Sequence, residues 1–348
     1  MLVAPDKFKG TLSAAEAAAA IGAGLADAGL GPIETLPLAD GGEGTMEALV
    51  RATNGRVVMA EVSDPIGRPV HAAFALIDDR TAVVEMAQAS GLWRMATVER
   101  DPVGASTHGT GELIEAALDA GAREVIVGVG GSATTDGGRG ALEALGARFT
   151  DADADLGELR RRLRGVRLLV ACDVRIPLLG QAGAARQFGP QKGASPAQVE
   201  VLEERLRDLA ALAKRVTGRD PSREPMAGAA GGLAGGLAAF AGAELRSGAA
   251  LVLDALGFDA RARAAFIVVT GEGRIDEQTL TGKTVFEVST RARQAGVPCY
   301  VVVGADALSA FDKRLMNIEV EAASRNGSPA GAAEVREAAR RMARRVTG

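Results

Sequence analysis

The chain has 348 residues, 47% of them apolar, 24% charged and 3% aromatic, with a formal charge of −4. That length exceeds what one hydrophobic core covers and implies two domains. The slight negative charge and scarce aromatics exclude the basic footprint and stacking platform of a nucleic-acid binder, and no apolar run reaches the roughly 18 residues that span a bilayer.

In chain order, the recurring theme is a short apolar strand, a polar glycine loop and an alanine-rich or amphipathic helix. Leu2 to Ala4 leads through DKFKG to a helix opened by the capping box Ser13-x-x-Glu16. Ile33 to Leu38 leads through ADGGEG to a helix opened by Thr45. Residues 57 to 86 alternate in polarity, with turns at SDPIG and DD, and predict an antiparallel meander. Val125 to Val129 leads through GGSATTDGG to a helix over RGALEALG, and Leu168 to Ala171 leads into CDVRIPLLG. Residues 195 to 217 predict a long helix capped by Ser195, with Pro196 in its first turn and Gln198 closing the box. Its stripe Val199, Leu202, Leu206, Leu209, Leu212 and Val216 is a core face. GAAGGLAGGLAAFAG reads equally as tight helix packing or as a phosphate loop. Phe266 to Val269 leads through TGEGRIDEQTLTGK to a helix ending near Gly296, and Tyr300 to Val303 leads to GAD. The C-terminal arginines predict a solvated helix face. Strands alternating with helices imply a parallel, helix-covered sheet, whose ligands bind outside the carboxyl ends of the strands.

The chemistry-bearing residues gather in those strand-end loops. Only six of the forty basic residues are lysine, and four of the six, Lys7, Lys9, Lys192 and Lys283, sit in glycine-flanked loops. A compact ammonium beside bare backbone suits a phosphate or small carboxylate. VGVGGSATTDGG combines glycine N–H groups, the hydroxyls of Ser132, Thr134 and Thr135, and a following helix, which together favour an anion. Gly128-x-Gly130-x-x-Ala133 also fits the dinucleotide fingerprint, but no acidic residue closes a second strand at the required distance; Asp151 lies in a poorly patterned stretch. LTGKT resembles the tail of a phosphate-binding P-loop, yet the leading glycine of that motif would fall at Glu277. Asp40, Asp136, Asp173 and Asp276, with Glu43 and Glu272, occupy strand-end loops. Carboxylates to take a proton and hold magnesium, with cations to neutralise a γ-phosphate, are the inventory of phosphoryl transfer.

Other chemistries lack their parts. The histidines are His71 and His108 alone, no G-x-S-x-G elbow exists, and His108 reads as a loop or helix-start residue. Cys172 and Cys299 stand far apart with no ligand spacing, so neither zinc nor a disulfide framework is expected. The start MLVAPDKFKG turns polar at once, so no signal peptide and a cytoplasmic location are expected.

At APDKFKGTLSA, LPLADGGEGT, DPIGRPV, EMAQASGL, THGTGELI, GVGGSATTDGG, ACDV, FGPQKGA, GAAGGL and TGEGRIDEQTLTGK the chain resembles the type I glycerate kinases. The segments run in order through about the first 290 residues of the chain. The resemblance implies ATP- and magnesium-dependent phosphorylation of D-glycerate to 2-phosphoglycerate. Attack by the 3-hydroxyl, and less favourably a nicotinamide-dependent oxidoreductase of small hydroxy acids, stand as alternatives. It also implies an α/β fold of two domains with the active site in the cleft between them. One is a flavodoxin-like parallel-sheet domain from both chain ends, residues 1–60 with 265–348; the other is a mixed α/β domain, residues 61–264. Under this resemblance Asp40 or Asp173 is the base or a magnesium ligand, and Asp136 and Asp276 are further metal or nucleotide contacts. Lys9 and Lys192 neutralise phosphate or carboxylate, while Lys7, Arg68 and Glu43 contact substrate. Gly130, Gly131, Ser132, Gly137, Gly138, Gly271, Glu272, Gly273 and Lys283 approach the nucleotide. A monomer or homodimer without nucleic-acid or membrane partners is expected.

The chain departs from the family pattern in places. Lys7 stands where a serine is common, Ala133-Thr134-Thr135 replaces ATN, and Arg175-Ile176-Pro177-Leu178 replaces TNPL. The stretch from Thr150 to Gly165 is short, and ADALSAFDKR follows Gly304 in place of a GS-containing loop.

Overall fold

The computed structural model describes residues 1–42, 44–150, 152–281, 283–324 and 329–347. In chain order its strands are β1 (Leu2–Val3), β2 (Glu34–Thr35), β3 (Arg56–Ser63), β4 (Pro69–Leu76), β5 (Thr81–Glu85), β6 (Glu124–Gly128), β7 (Arg148–Phe149), β8 (Ala154–Asp155), β9 (Arg167–Ala171), β10 (Glu244–Arg246), β11 (Val268–Ile275), β12 (Cys299–Asp306) and β13 (Ile318–Ala322). The chain divides into two compact units, Met1–Asp40 with Ala249–Gly348, and Gly41–Gly248.

The first unit carries a sheet in the order β13-β12-β11-β1-β2, and every pairing is parallel. Numbered along the chain this is 2-1-3-4-5, the flavodoxin-like order, with its topological switch point between β1 and β11. The helices Ala14–Asp27 and Ala332–Thr347 pack against each other on one side of the sheet, over a core that includes Val3, Ile21, Val269, Val302 and Met342. The Ser13 box forms as expected: Glu16 N–H donates to Ser13 Oγ at 3.3 Å and Ser13 N–H to Glu16 Oε2 at 2.8 Å. The C-terminal arginines are more committed than a solvated face requires. Arg336 ion-pairs with Asp27, and Arg341 and Arg345 both pair with Glu321.

The second unit carries a six-stranded sheet in the order β10-β9-β6-β5-β4-β3. β5, β6, β9 and β10 run parallel, while β3 and β4 complete the expected meander as an antiparallel edge. The long helix spans Pro196–Thr217, with the Ser195–Gln198 box intact and Val199, Leu202, Leu206 and Leu212 buried.

The chain passes between units at 40/41 and 248/249, earlier at both crossings than the expected 60/61 and 264/265. The helix Thr45–Thr53 packs on β4 and β5, and β3 pairs with β4, which draws residues 41–60 into the second unit. Arg291 ion-pairs with Asp254 and Asp259, which ties the helices Gly248–Ala255 and Phe258–Ala264 to the first.

Candidate functional site

In the first unit, a cavity of about 260 Å³ opens at the carboxyl ends of β1 and β11, on the switch point where such sheets bind ligands. It is lined by Asp6, Lys7, Lys9, Asp40, Glu272, Asp276 and Lys283, among others. The chain beyond β1 continues its ladder, Asp6 N–H donating to Gly271 O at 2.8 Å. Phe8 is buried and bridges to Leu12, which pins the turn between the partly exposed Lys7 and the exposed Lys9. Gly271, Glu272 and Gly273 are strand residues and not loop residues, since β11 pairs with β12 as far as Ile275 and Asp306. Gly271 is where the two strands crowd: a Cβ there would sit 2.1 Å from Val302 O.

The electrostatics of the cavity are those of acids crowded together. Burial pushes Asp6 up to about 6, and the charge of Asp40 adds to this against hydrogen bonds from Thr284 and the Lys7 N–H. Glu272 is pushed up to about 7, again chiefly by burial, with Asp6 and Asp276 adding repulsion and the Thr279 hydroxyl and Lys283 opposing it. Lys7 Nζ lies 3.8 Å from Asp40 Oδ1, and Arg274 Nε lies 3.5 Å from Asp276 Oδ2. Thr279 Oγ1 donates to Glu272 Oε1 at 3.0 Å and accepts from the Asp276 N–H at 3.2 Å. Among the described residues no three carboxylate, histidine or cysteine side chains form a metal cage. Magnesium needs less than that, being commonly held by one or two carboxylates together with substrate phosphates and water. Carboxylates whose repulsion a cation would relieve fit that pattern.

The other expected residues lie in the second unit. The loop after β6 is zipped to the segment around Gly91: Leu92 N–H donates to Gly131 O at 2.9 Å, Ala133 N–H donates to Ser90 O at 3.0 Å, and Gly91 bridges to Ser132. Gly130 immediately precedes this zipped stretch. The helix that follows opens only at Arg139, so the fingerprint at Gly128 lacks the helix N-terminus that a dinucleotide needs. Gly137 and Gly138 are packing positions: a Cβ on Gly137 would strike Leu209, and Gly138 lies against the Leu233 backbone. Asp136 accepts from Thr107 N–H and Oγ1–H, both at 2.8 Å, and from the N–H groups of Gly138 and Gly140, so both of its oxygens are committed to donors. Lys192 is buried, its Nζ donating to Thr134 O at 2.6 Å, and burial pulls its ammonium down to about 7 against the field of Asp136. Asp173 follows β9, partly buried. Arg68 pairs with one acid of its own turn and one distant in sequence: Nε donates to Asp64 Oδ2 at 2.5 Å and Nη1 to Glu99 Oε1 at 2.8 Å. The same side chain is 45% exposed. Glu43 lies outside the described residues. His108 begins the helix His108–Asp119, and both cysteines are free and buried.

Two carboxylates escaped the sequence reading. Asp6 stands beside two lysines in APDKFKG and meets the same strand-end rule as Asp40. Glu85, at the end of β5, is buried and accepts from Met46 N–H at 2.8 Å, capping the helix Thr45–Thr53. Both are buried, a property that a linear motif does not show.

The model of the glycerate kinase family matches residues 1–347. The chain belongs to the glycerate kinase family. A glycerate kinase of Bacillus subtilis strain 168 is 45% identical over 322 residues, covering 87% of this chain and 84% of that protein. A glycerate 2-kinase of Escherichia coli K12 is 42% identical over 324 residues, covering 87% and 84%. A crystal structure described as a glycerate kinase 2 from Salmonella typhimurium LT2 superposes with a TM-score of 0.83 at 40% identity, covering 99% of this chain and 97% of that one. This glycerate kinase family member is therefore a phosphotransferase with a mixed α/β fold. No helix among its described residues is long and apolar enough to cross a membrane.

Proposed function

We propose that the enzyme transfers the γ-phosphate of ATP to the 2-hydroxyl of D-glycerate, with magnesium, giving 2-phosphoglycerate. The observation that carries this reading is the switch-point cavity, where Lys7, Lys9 and Lys283 meet Asp6, Asp40, Glu272 and Asp276. Phosphoryl transfer is mostly positioning and charge neutralisation, and three ammonium groups beside carboxylates supply both. Lys9, exposed on a pinned turn, and Lys283 neutralise phosphate oxygens. Asp40, partly exposed and paired with Lys7, accepts the proton of the acceptor hydroxyl; Asp173, beyond β9, is the alternative base. Magnesium, when bound, would screen the phosphate charge, with Asp276 and Glu272 as its protein ligands. Lys192 contributes by holding Thr134 O and with it the loop 130–138, and Asp136 fixes the same loop from its other end.

Release of ADP in a coupled assay with D-glycerate, ATP and magnesium tests the activity, and phosphorus NMR of the product separates 2- from 3-phosphoglycerate. Absence of turnover across D-glycerate and related hydroxy acids would overturn the reading. A 3-phospho product would overturn only its regiochemistry.

A further inference from the structure

We propose that Asp6 is a positioning residue of the anion site, a single carboxylate that fixes the two backbone segments from which Lys7 and Lys283 reach the cavity. The inference rests on the kinase reading above and deepens it.

Asp6 is only 7% exposed, although it lines the cavity. Each of its oxygens accepts one short bond, Oδ1 from Lys7 N–H at 2.7 Å and Oδ2 from Thr284 Oγ1–H at 2.7 Å. Lys7 is the next residue in the chain. Thr284 immediately follows Lys283 and is the first residue of the helix Thr284–Gln294; it is itself 2% exposed. The two lysines lie far apart in sequence, yet the main-chain N–H of one and the hydroxyl of the residue after the other meet on one buried carboxylate.

A lysine side chain has a flexible four-carbon stem, so its backbone origin is the part that the fold can fix. Bonds to an ionised acceptor are stronger than neutral ones and hold their geometry better. Asp6 is poorly suited to act on substrate directly, with both oxygens turned to protein donors. Asp40 and Asp276, which line the same cavity, have side chains 22% and 32% exposed. The hydroxyl of Thr284 is the arm that can be removed without changing any charge.

Thr284→Val deletes that arm, Thr284→Ser restores it, and Asp6→Asn weakens both arms while keeping shape. For Thr284→Val we expect KM for ATP to rise by about tenfold, with kcat changed far less, and near wild-type values for Thr284→Ser. Placed in a Lys283→Met background, Thr284→Val should alter KM by less than roughly twofold, because the residue it positions is already gone. Asp6→Asn should exceed Thr284→Val, since it disturbs Lys7 as well. An equal penalty for Thr284→Val in both backgrounds would overturn the proposal, as would loss of kcat at unchanged KM in Asp6→Asn. Circular dichroism of each variant guards against misfolding, and if Asp6→Asn does not fold, the Thr284 pair and its Lys283 background decide alone. Were wild type to show no glycerate turnover, the kinase reading would fail separately, and calorimetric ATP–magnesium binding across the same cycle would still test the brace.

Discussion

Glu272 is an acid held near neutrality by its surroundings, and that has a consequence for stability. Its folded pKa, raised by burial to about 7, lies above the ordinary value of 4.5. Between those two values the unfolded chain has released the proton and the folded protein keeps it, so folding takes up protons and stability falls as pH rises through the window. Below the lower value both states are protonated, and the penalty is absent. In metal-free buffer, Glu272→Gln should therefore melt at a higher temperature than wild type at about pH 8, with the difference closing towards about pH 5. Parallel melting profiles for the two proteins would contradict the burial argument. Added magnesium should stabilise wild type more than Glu272→Gln at the upper pH. At this scale the sequence was informative about which residue types gather at strand ends and silent about their commitments. Lys7, Lys9, Asp40, Glu272, Asp276 and Lys283 were legible as a strand-end set, and they line one cavity. Arg68 and Asp136 belong to the same motifs, but each has a partner distant in sequence, Glu99 and Thr107, and a linear motif shows no such pairing.

Among the elements, the helix Leu233–Ala241 shows how tightly the glycine-rich segments of the second unit are joined. Glycine in a helix ordinarily costs about 1 kcal/mol relative to alanine, so Gly236→Ala would stabilise an exposed helix. Here an added Cβ would lie 2.0 Å from Gly137 O, in the loop that carries Asp136, and the obstacle is backbone that cannot rotate away. The substitution should destabilise by about 1–3 kcal/mol, read as a lowered urea midpoint at unchanged slope. A raised midpoint would mean that the loop yields without cost. This packing favours the tight-packing reading of GAAGGLAGGLAAFAG: Gly228, Gly231, Gly235 and Gly236 each admit a neighbouring carbonyl. Elements whose signals are local, such as the two capping boxes and the meander over β3 to β5, could be read directly from the sequence. The course of β11 through TGEGRI could not. Glycine and charge there imitate a loop, and the pairing with β12 that overrides this comes from a distant part of the chain.

At the level of the whole molecule, the chain leaves the flavodoxin-like unit after Asp40 and returns at Ala249. The cluster built on Val84, Val127, Val170 and Leu237 lies entirely within 41–248, and the one built on Val3, Ile21, Val269 and Met342 lies entirely outside it. The inserted segment has a complete six-stranded sheet, and its long helix packs through Leu202, Leu206 and Ala210 into a cluster drawn from the same segment. At about 200 residues it is also large enough to bury most of its apolar surface alone. Residues 41–248 expressed by themselves should therefore fold, with a cooperative urea transition and dispersed amide resonances. They should have no kinase activity at any substrate concentration, because Lys7, Lys9, Asp40, Glu272 and Lys283 belong to the remaining chain. A fragment that stays unfolded would show that stability is shared between the units despite their separate cores. An active fragment would move the phosphoryl-transfer site away from the switch point, towards Asp173 and the loop held by Lys192.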